Sequence, residues 1–356
     1  MPTLHQITAG FRTGDAISNE AMLIRDLCDA HGLASDIACP PERTAPEEYP
    51  FLKDAGTLAR DVRPDDVALL HLSIGGRANR IFKALPCRKA ILYHNVTPAK
   101  YFERLDPDTA RILAEGRAEV AALRDTTDSV WADSAFNAAE LRAMGYRSPK
   151  VFPLLLDDSL GTGEIAEWRR DMLVDPPLAN ILFVGRLAPN KRHDRLIATF
   201  GIYQRHLNPA SRLIIAGGIG NAETYRTLLL GDAYVWAARN VLFTDFMDDA
   251  NLRACYATAS AFVCMSDHEG FCAPLLEAMA WHVPVFAWGA GAVPETLDGA
   301  GVLFEPGTAP EAMAETIHRV LSDPALRAAV VRRQDERFAR FRARDAWSEL
   351  RAVIGL

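Results

Sequence analysis

Glu269 and Glu277 stand eight positions apart in the run Asp267-His-Glu-Gly-Phe-Cys-Ala-Pro-Leu-Leu-Glu-Ala-Met279. The residues between them prescribe a geometry. Gly270 admits a sharp turn that a Cβ would resist, and Pro274 suits the start of a helix, where its missing N–H costs nothing. Glu269 is therefore expected in a loop, and Glu277 about one turn inside the helix that follows, so that two carboxylates flank a helix amino end. That end is a place for an anion, and a carboxylate with two acceptor oxygens can hold a vicinal diol. A ligand with a diphosphate and a ribose presents both groups.

The cationic half of such a site lies upstream, in Ile181-Leu-Phe-Val-Gly-Arg-Leu-Ala-Pro-Asn-Lys191. An apolar run of strand character ends at Gly185, and Arg186 and Lys191 follow in a Pro/Asn loop before another apolar helical stretch. Arg offers a planar fork to phosphate oxygens and Lys a point charge, a pair able to neutralise a diphosphate without a metal.

Taken together, Gly185-Arg-Leu-x-x-x-Lys191 and Glu269-Gly-Phe-x-x-Pro-x-x-Glu277 resemble the retaining, nucleotide-sugar-dependent glycosyltransferases of family 4 (group 1), which have the GT-B fold. Gly14-Asp-Ala-Ile17, His94-Asn-Val-Thr-Pro98 and the spacer Val241 to Leu252 extend the resemblance along the chain. The His-Asn-x-Thr-Pro segment is most similar to the bacterial polysaccharide mannosyltransferase branch. The resemblance implies an α/β GT-B architecture, two Rossmann-like doubly wound domains facing across a cleft. Residues 1–160 would form the acceptor-side domain, joined by a C-terminal helix near 344–356 that crosses back. Residues 161–343 would supply the linker and the nucleotide-sugar domain.

The implied reaction moves a hexose, mannose from GDP-mannose, to a saccharide or polyprenyl-linked acceptor with retention at the anomeric carbon. Arg186 and Lys191 would stabilise the leaving diphosphate, Glu277 would hold the ribose, and Glu269 with the backbone of Gly270, Phe271 and Cys272 would position sugar and phosphate. Gly185 would end the strand beside them. Gly14 and Asp15 would line the facing wall, Phe246 and Met247 would meet the base through their backbone, and His94 would steady the sugar from a strand end. No cofactor and no metal are expected. Two positions depart from the family pattern, Asp245 and Cys272, where relatives often have Gly. Rival readings are a GT-B nucleotide-sugar 2-epimerase and a non-catalytic nucleotide-sugar-binding subunit. A nicotinamide dehydrogenase is weaker, because Gly217-Gly-Ile-Gly220 lacks the rest of the dinucleotide fingerprint.

Composition narrows the field further. The 356 residues carry a net charge of −7, which argues against a general nucleic-acid binder. Hydrophobic content of 49% and charged content of 24% are those of an ordinary globular protein. Six scattered cysteines show no metal-ligand spacing and read as reduced core thiols, and the amino end lacks the pattern of a secretory signal, so a cytoplasmic setting is expected. Asp106-Pro-Asp108 reads as a helix cap rather than a metal ligand set. Arg77, Arg80, Lys83, Arg88 and Lys89, with no acid among them, lie beside an apolar stripe at helical spacing, which fits a helix packed on a sheet with a solvated basic face or, as the alternative, peripheral contact with an anionic membrane.

The elements that must position these groups alternate between strand and helix, the signature of parallel sheets in α/β layers. In the first half the pattern predicts strands over 67–72, 90–93 and 129–134 and helices over 16–30 and 135–144. Residues 156–180, with paired Asp and Pro, read as a separator between domains. The second half predicts strands over 181–184, 212–216, 241–243, 261–264 and 284–287, with ligands at their carboxyl ends.

Overall fold

A computed structural model describes residues 2–220 and 222–355; Met1, Asn221 and Leu356 lie outside the described residues. The chain divides into two compact units, one of Met1–Asp157 with Asp345–Leu356 and one of Asp158–Arg344.

The first unit is built on seven parallel strands: β1 (Leu4–Thr8), β2 (Ser35–Cys39), β3 (Lys53–Asp54), β4 (Val67–Leu72), β5 (Arg88–Tyr93), β6 (Ser129–Ala132) and β7 (Lys150–Val151). Their order is β3-β2-β1-β4-β5-β6-β7. Central strands of such a sheet are covered on both faces, so β4 reads as one apolar run and is buried throughout. β1 is buried too, yet its sequence, Leu-His-Gln-Ile-Thr, gives no strand signal. Its polar groups are satisfied inside: His5 Nδ1 lies 2.8 Å from Asp36, and Gln6 Nε2 donates to the Ala21 carbonyl at 2.9 Å.

The helix Ala16–Ala30 starts at its Asp15 cap, whose carboxylate accepts from the Ser18 N–H. The last helix, Ala346–Ile354, packs on this unit, with Leu350, Val353 and Ile354 buried among Leu4, Ile24, Trp131 and Phe152.

The second unit carries six parallel strands: β8 (Ala179–Val184), β9 (Ser211–Ala216), β10 (Val241–Phe243), β11 (Ala261–Cys264), β12 (Val285–Trp288) and β13 (Val302–Phe304). They lie in the order β10-β9-β8-β11-β12-β13. Strand order reverses between β8 and β11, so the chain leaves their carboxyl ends towards opposite sides and opens a crevice there. No helix among the described residues is long and apolar enough to cross a membrane.

The boundary between the two units falls within the stretch read as a separator, and two details of the sequence reading change. The stretch read as a separator contains a helix, Glu167–Val174, tied to the helix Asp249–Thr258 by a 2.7 Å hydrogen bond from Arg169 to Asn251. Its Asp and Pro residues flank an ordered element. The basic segment 77–89 is likewise a helix, Arg77–Ala84, followed by β5. Its apolar stripe is core, since Ala78, Phe82 and Leu85 are buried. Arg77 pairs with Glu42, Arg80 with Glu119, and Arg88 and Lys89 donate to backbone carbonyls. The stripe that would enter a lipid surface is thus already spent on folding.

Because Leu350 is fully buried in the core of the first unit, Leu350→Ala should destabilise that unit by about 2 to 5 kcal/mol, the range for truncating a buried leucine. Denaturant unfolding followed by Trp131 and Trp347 fluorescence measures the loss; an unchanged midpoint would show that the last helix is dispensable.

Candidate functional site

The reversal of strand order brings the two charged segments of the sequence together. After β8 the chain passes Gly185 and Arg186 to a single 3-10 turn, Pro189–Lys191, then enters the helix His193–His206. After β11 it forms the loop 265–271 and enters the helix Ala273–Ala280. Backbone and side chain clamp the two loops: the Asp267 N–H donates to the Asn190 carbonyl at 2.9 Å, and Asn190 Nδ2 donates to the His268 carbonyl at 3.1 Å. Asp267 accepts from Arg192 at 2.6 Å and from Arg195 at 3.0 Å.

At the centre of this clamp, Lys191 Nζ donates to both oxygens of Glu269 at 2.7 Å. Burial alone would lower the lysine pKa, but the Glu269 charge outweighs it and raises it, so the ammonium persists. Arg186 is different. It is exposed, and its guanidinium has no hydrogen bond or ion pair among the described residues. Gly217 lies so close to the Gly185 carbonyl that any Cβ there would collide with it, which explains glycine after β9, while Gly185 after β8 has φ of +150°, a conformation that favours glycine.

Glu269 is buried, and its backbone carbonyl accepts from the Ala292 N–H at 3.0 Å. A Cβ on Gly291 would come within 2.6 Å of that carbonyl oxygen, so the Gly289–Gly291 turn is seated directly on the Glu269 loop.

The sharp turn expected at Gly270 falls elsewhere. Cys272, which caps the helix, has φ of +71°, whereas Gly270 is not in the left-handed region. The strain that Gly would relieve is therefore carried by a cysteine. Pro274 is the second residue of the helix and Glu277 the fifth, one turn in, as its spacing predicts. Glu277 Oε2 accepts from the Tyr256 hydroxyl at 2.6 Å, and burial raises its pKa above the usual glutamate range. Tyr256 was not singled out from sequence as a site residue, although a tyrosine on the buried face of a helix must find a partner for its hydroxyl.

Asp245 also sits in the left-handed region, with φ of +59°. Its Oδ1 accepts from the Phe246 N–H at 2.7 Å and the Ile219 N–H at 3.2 Å, side-chain bonding that steadies such a conformation without glycine. The Phe246 backbone N–H is thus engaged by Asp245, and the residue is half exposed. Met247 stands with its sulfur 4.0 Å from Cys255.

The remaining expected residues belong to the first unit. Gly14 has φ of +86° and precedes the Asp15 cap. His94 follows β5, but its side chain is enclosed, only 2% exposed, rather than projecting freely. It forms part of a directional chain. Gln6 uses its amide to donate to Ala21, so its Oε1 must accept from His71 Nε2, at 3.0 Å, and His71 Nδ1 is left to accept from His94 Nε2 at 3.1 Å. The other side of His94 faces Asp133 at 3.5 Å, and Glu20 lies 3.4 Å from Nε2. Burial lowers the His94 pKa, but Glu20, Asp133 and Asp15 together raise it; His71 is pushed well down by burial and by His94. A charged His94 beside a neutral His71 is the consistent state. His71, read from sequence as core, is thus the partner of the candidate catalyst.

Tyr256→Phe should leave one oxygen of a buried carboxylate unpaired and cost about 1 to 3 kcal/mol in stability, read by urea unfolding. The pH dependence has a definite sign. With its folded pKa raised above the unfolded value, Glu277 gives a contribution that is lost as pH rises through that folded pKa and the group ionises. A ribose diol needs the ionised form, so thermal stabilisation by a nucleoside diphosphate should grow with pH across the same window. Glu277→Gln should flatten that growth; an equally steep profile in the variant would exclude Glu277 as its source.

Comparison with known proteins agrees with this geometry. Residues 164–337 match the family of glycosyl transferases, group 1. The chain is 26% identical over 145 residues to a serotype-specific mannosyltransferase, WbdA, of Escherichia coli, covering 41% of this chain and 18% of that protein. It is 28% identical over 249 residues to a D-inositol 3-phosphate glycosyltransferase of Actinosynnema mirum, covering 67% of this chain and 59% of the relative. It is 34% identical over 145 residues to a GDP-mannose-dependent alpha-mannosyltransferase of Mycobacterium tuberculosis, covering 38% and 34%. The matched part is less than two thirds of the length of each relative. Among solved structures, a sucrose-phosphate synthase from Thermosynechococcus elongatus superposes with a TM-score of 0.71 at 19% identity, over 98% of this chain and 97% of that one. Residues 164–337, on the unit that carries Arg186, Lys191, Glu269 and Glu277, thus match the group 1 glycosyl transferases, and the likeness over nearly the whole length gives the chain the GT-B fold.

Proposed function

We propose that this protein is a retaining hexosyltransferase that moves mannose from GDP-mannose to a saccharide or lipid-linked saccharide in polysaccharide synthesis. The observation that carries the reading is the convergence, at the β8/β11 crevice, of an unpartnered Arg186, the Lys191–Glu269 pair and a Glu277 with one oxygen already held by Tyr256. Arg186 and Lys191 take the diphosphate, whose growing charge in the transition state is the largest thing a transferase of this kind has to stabilise. Glu277 offers its second oxygen to the ribose. Glu269, locked by Lys191 and seated on Gly291, holds the sugar, and the Gly270 to Cys272 backbone leads into the helix amino end. Mannose as the sugar rests on the names of relatives, two of which are mannosyltransferases and one of which is described as GDP-mannose-dependent.

In this scheme the leaving diphosphate oxygen takes the acceptor proton, and no protein nucleophile is assigned. His94 contributes as a buried cation, its charge sustained by Glu20 and Asp133, and steadies the sugar as the bond breaks. Arg186 and Lys191 stand where a metal would otherwise be needed, so the reaction is metal-independent.

A thermal-shift panel of nucleoside diphosphates and their sugars tests the donor; GDP and GDP-mannose should stabilise most, and a larger shift with uridine nucleotides would overturn the assignment of the base. Arg186→Ala should weaken diphosphate binding roughly tenfold to a hundredfold, the range for a lost charge-assisted contact, without altering the melting temperature of the free protein. Transfer should persist in a strong chelator, and a strict need for manganese or magnesium would refute the cationic scheme. His94→Ala should lower kcat and kcat/KM together while nucleotide affinity holds, with a melting curve to establish that the variant is folded. Sugar release without any acceptor, as the 2-epimer, would instead identify an epimerase.

A further inference from the structure

Cys264 ends β11 and Cys272 caps the helix Ala273–Ala280, and the fold brings their sulfurs to 3.8 Å with both side chains buried. Glu269 joins them. One ligand atom from each of the three residues lies within 4.8 Å of the other two. We propose that Cys264, Cys272 and Glu269 form a binding site for a soft divalent cation of the zinc class, distinct in chemistry from the metal-free sugar transfer at the same crevice.

The sulfur geometry is the first argument. Two thiolates on one tetrahedral zinc, each about 2.3 Å from the metal, lie about 3.8 Å apart. The observed pair needs no adjustment to reach that arrangement. A carboxylate oxygen on the same ion sits about 3.5 Å from each sulfur, so Glu269 has to close by roughly 1 Å. Three protein ligands then leave one position for water.

Charge balance is the second argument. The metal-free cluster holds two neutral thiols, one carboxylate and the Lys191 ammonium, and sums to zero. On binding, each thiol releases its proton to solvent and its sulfur forms a bond to the metal. Two thiolates, one carboxylate, a divalent cation and the ammonium again sum to zero, so the buried region gains no net charge. Lys191 need not leave, because it touches both carboxylate oxygens at 2.7 Å and one oxygen can turn to the metal while the other keeps the ammonium.

The other close group of ligand atoms, Glu20, His71 and His94, is a poorer host. Both ring nitrogens of His71 are committed to hydrogen bonds with Gln6 and His94. At the cysteine site, among the described residues, the Cys264 sulfur hydrogen-bonds only with Ser266, at 3.4 Å, besides its partner sulfur. The soft thiolates favour zinc or cadmium over magnesium or manganese. A metal that fixes the Glu269 carboxylate withdraws it from a donor sugar, so zinc acts here as an inhibitor that a chelator relieves.

The experiment uses the full chain, metal-free and held reduced by a phosphine. Zinc binding, read by competition with a chromophoric indicator, should saturate at one equivalent. Cadmium should give the ultraviolet charge-transfer band of a thiolate ligand, and zinc should displace it. Since two protons leave, affinity should rise nearly a hundredfold per pH unit below the thiol range. Cys272→Gly relieves the left-handed conformation and so should fold, and Cys264→Ala is small and apolar; each should abolish the cadmium band. Absence of a band in the reduced native protein, or a band of equal strength in either folded variant, would overturn the proposal. Inhibition of transfer by zinc in the native enzyme and not in Cys272→Gly would support it further; equal inhibition of both would place the inhibitory metal elsewhere.

Discussion

The Lys191–Glu269 ion pair is the constraint around which the second unit is arranged. Each charge is largely removed from water, and either alone would be costly to bury. Their pairing requires that the loop after β8 and the loop after β11 meet, as the parallel pairing of those two neighbours at the reversal of strand order permits. From this contact the rest follows outward: Asn190 and Asp267 bind the loops edge to edge, Arg192 and Arg195 anchor Asp267, and Gly291 gives way so that the Glu269 backbone can be covered. Arg186, just outside the clamp, is the cation kept available.

The first unit shows the same economy with a different chemistry. There the switch lies between β1 and β4, and its polar interior is a chain of hydrogen bonds running from Gln6 through His71 to His94. Fixing the direction of each bond fixes the protonation of each ring. Burial and the neighbouring ring push the His71 pKa down, whereas Glu20 and Asp133 raise that of His94, so the two stacked imidazoles are biased in opposite directions.

Much of this was legible in the sequence because it rests on local rules. The helix Ala16–Ala30 and the strands over 67–72, 241–243 and 261–264 appear where periodicity and stop signals put them, and Pro274 and Glu277 keep their expected spacing in one helix. What was not legible depends on pairing across distance. β1 hides its strand character behind His5 and Gln6, whose partners are at Asp36, Asp66 and Ala21. Tyr256 and Glu277 meet across 21 residues, and the sulfurs of Cys264 and Cys272 meet although their spacing matches no metal motif. Positive φ at Cys272 and Asp245, where glycine is easier, was visible only as a departure from pattern. Sequence named the residues; the backbone conformation explains why the departure matters.

The position of the final helix has a consequence for synthesis. Leu350, Val353 and Ile354 complete the core that Leu4 and Ile24 begin, so the first unit is interrupted by the whole of the second. During translation the chain emerges amino end first, and the inserted unit has all its strands outside the ribosome before the earlier one has its last covering helix. The unit whose strands are made first is therefore the one whose core closes last, and until then an apolar face containing Trp131 and Phe152 stays open to chaperones.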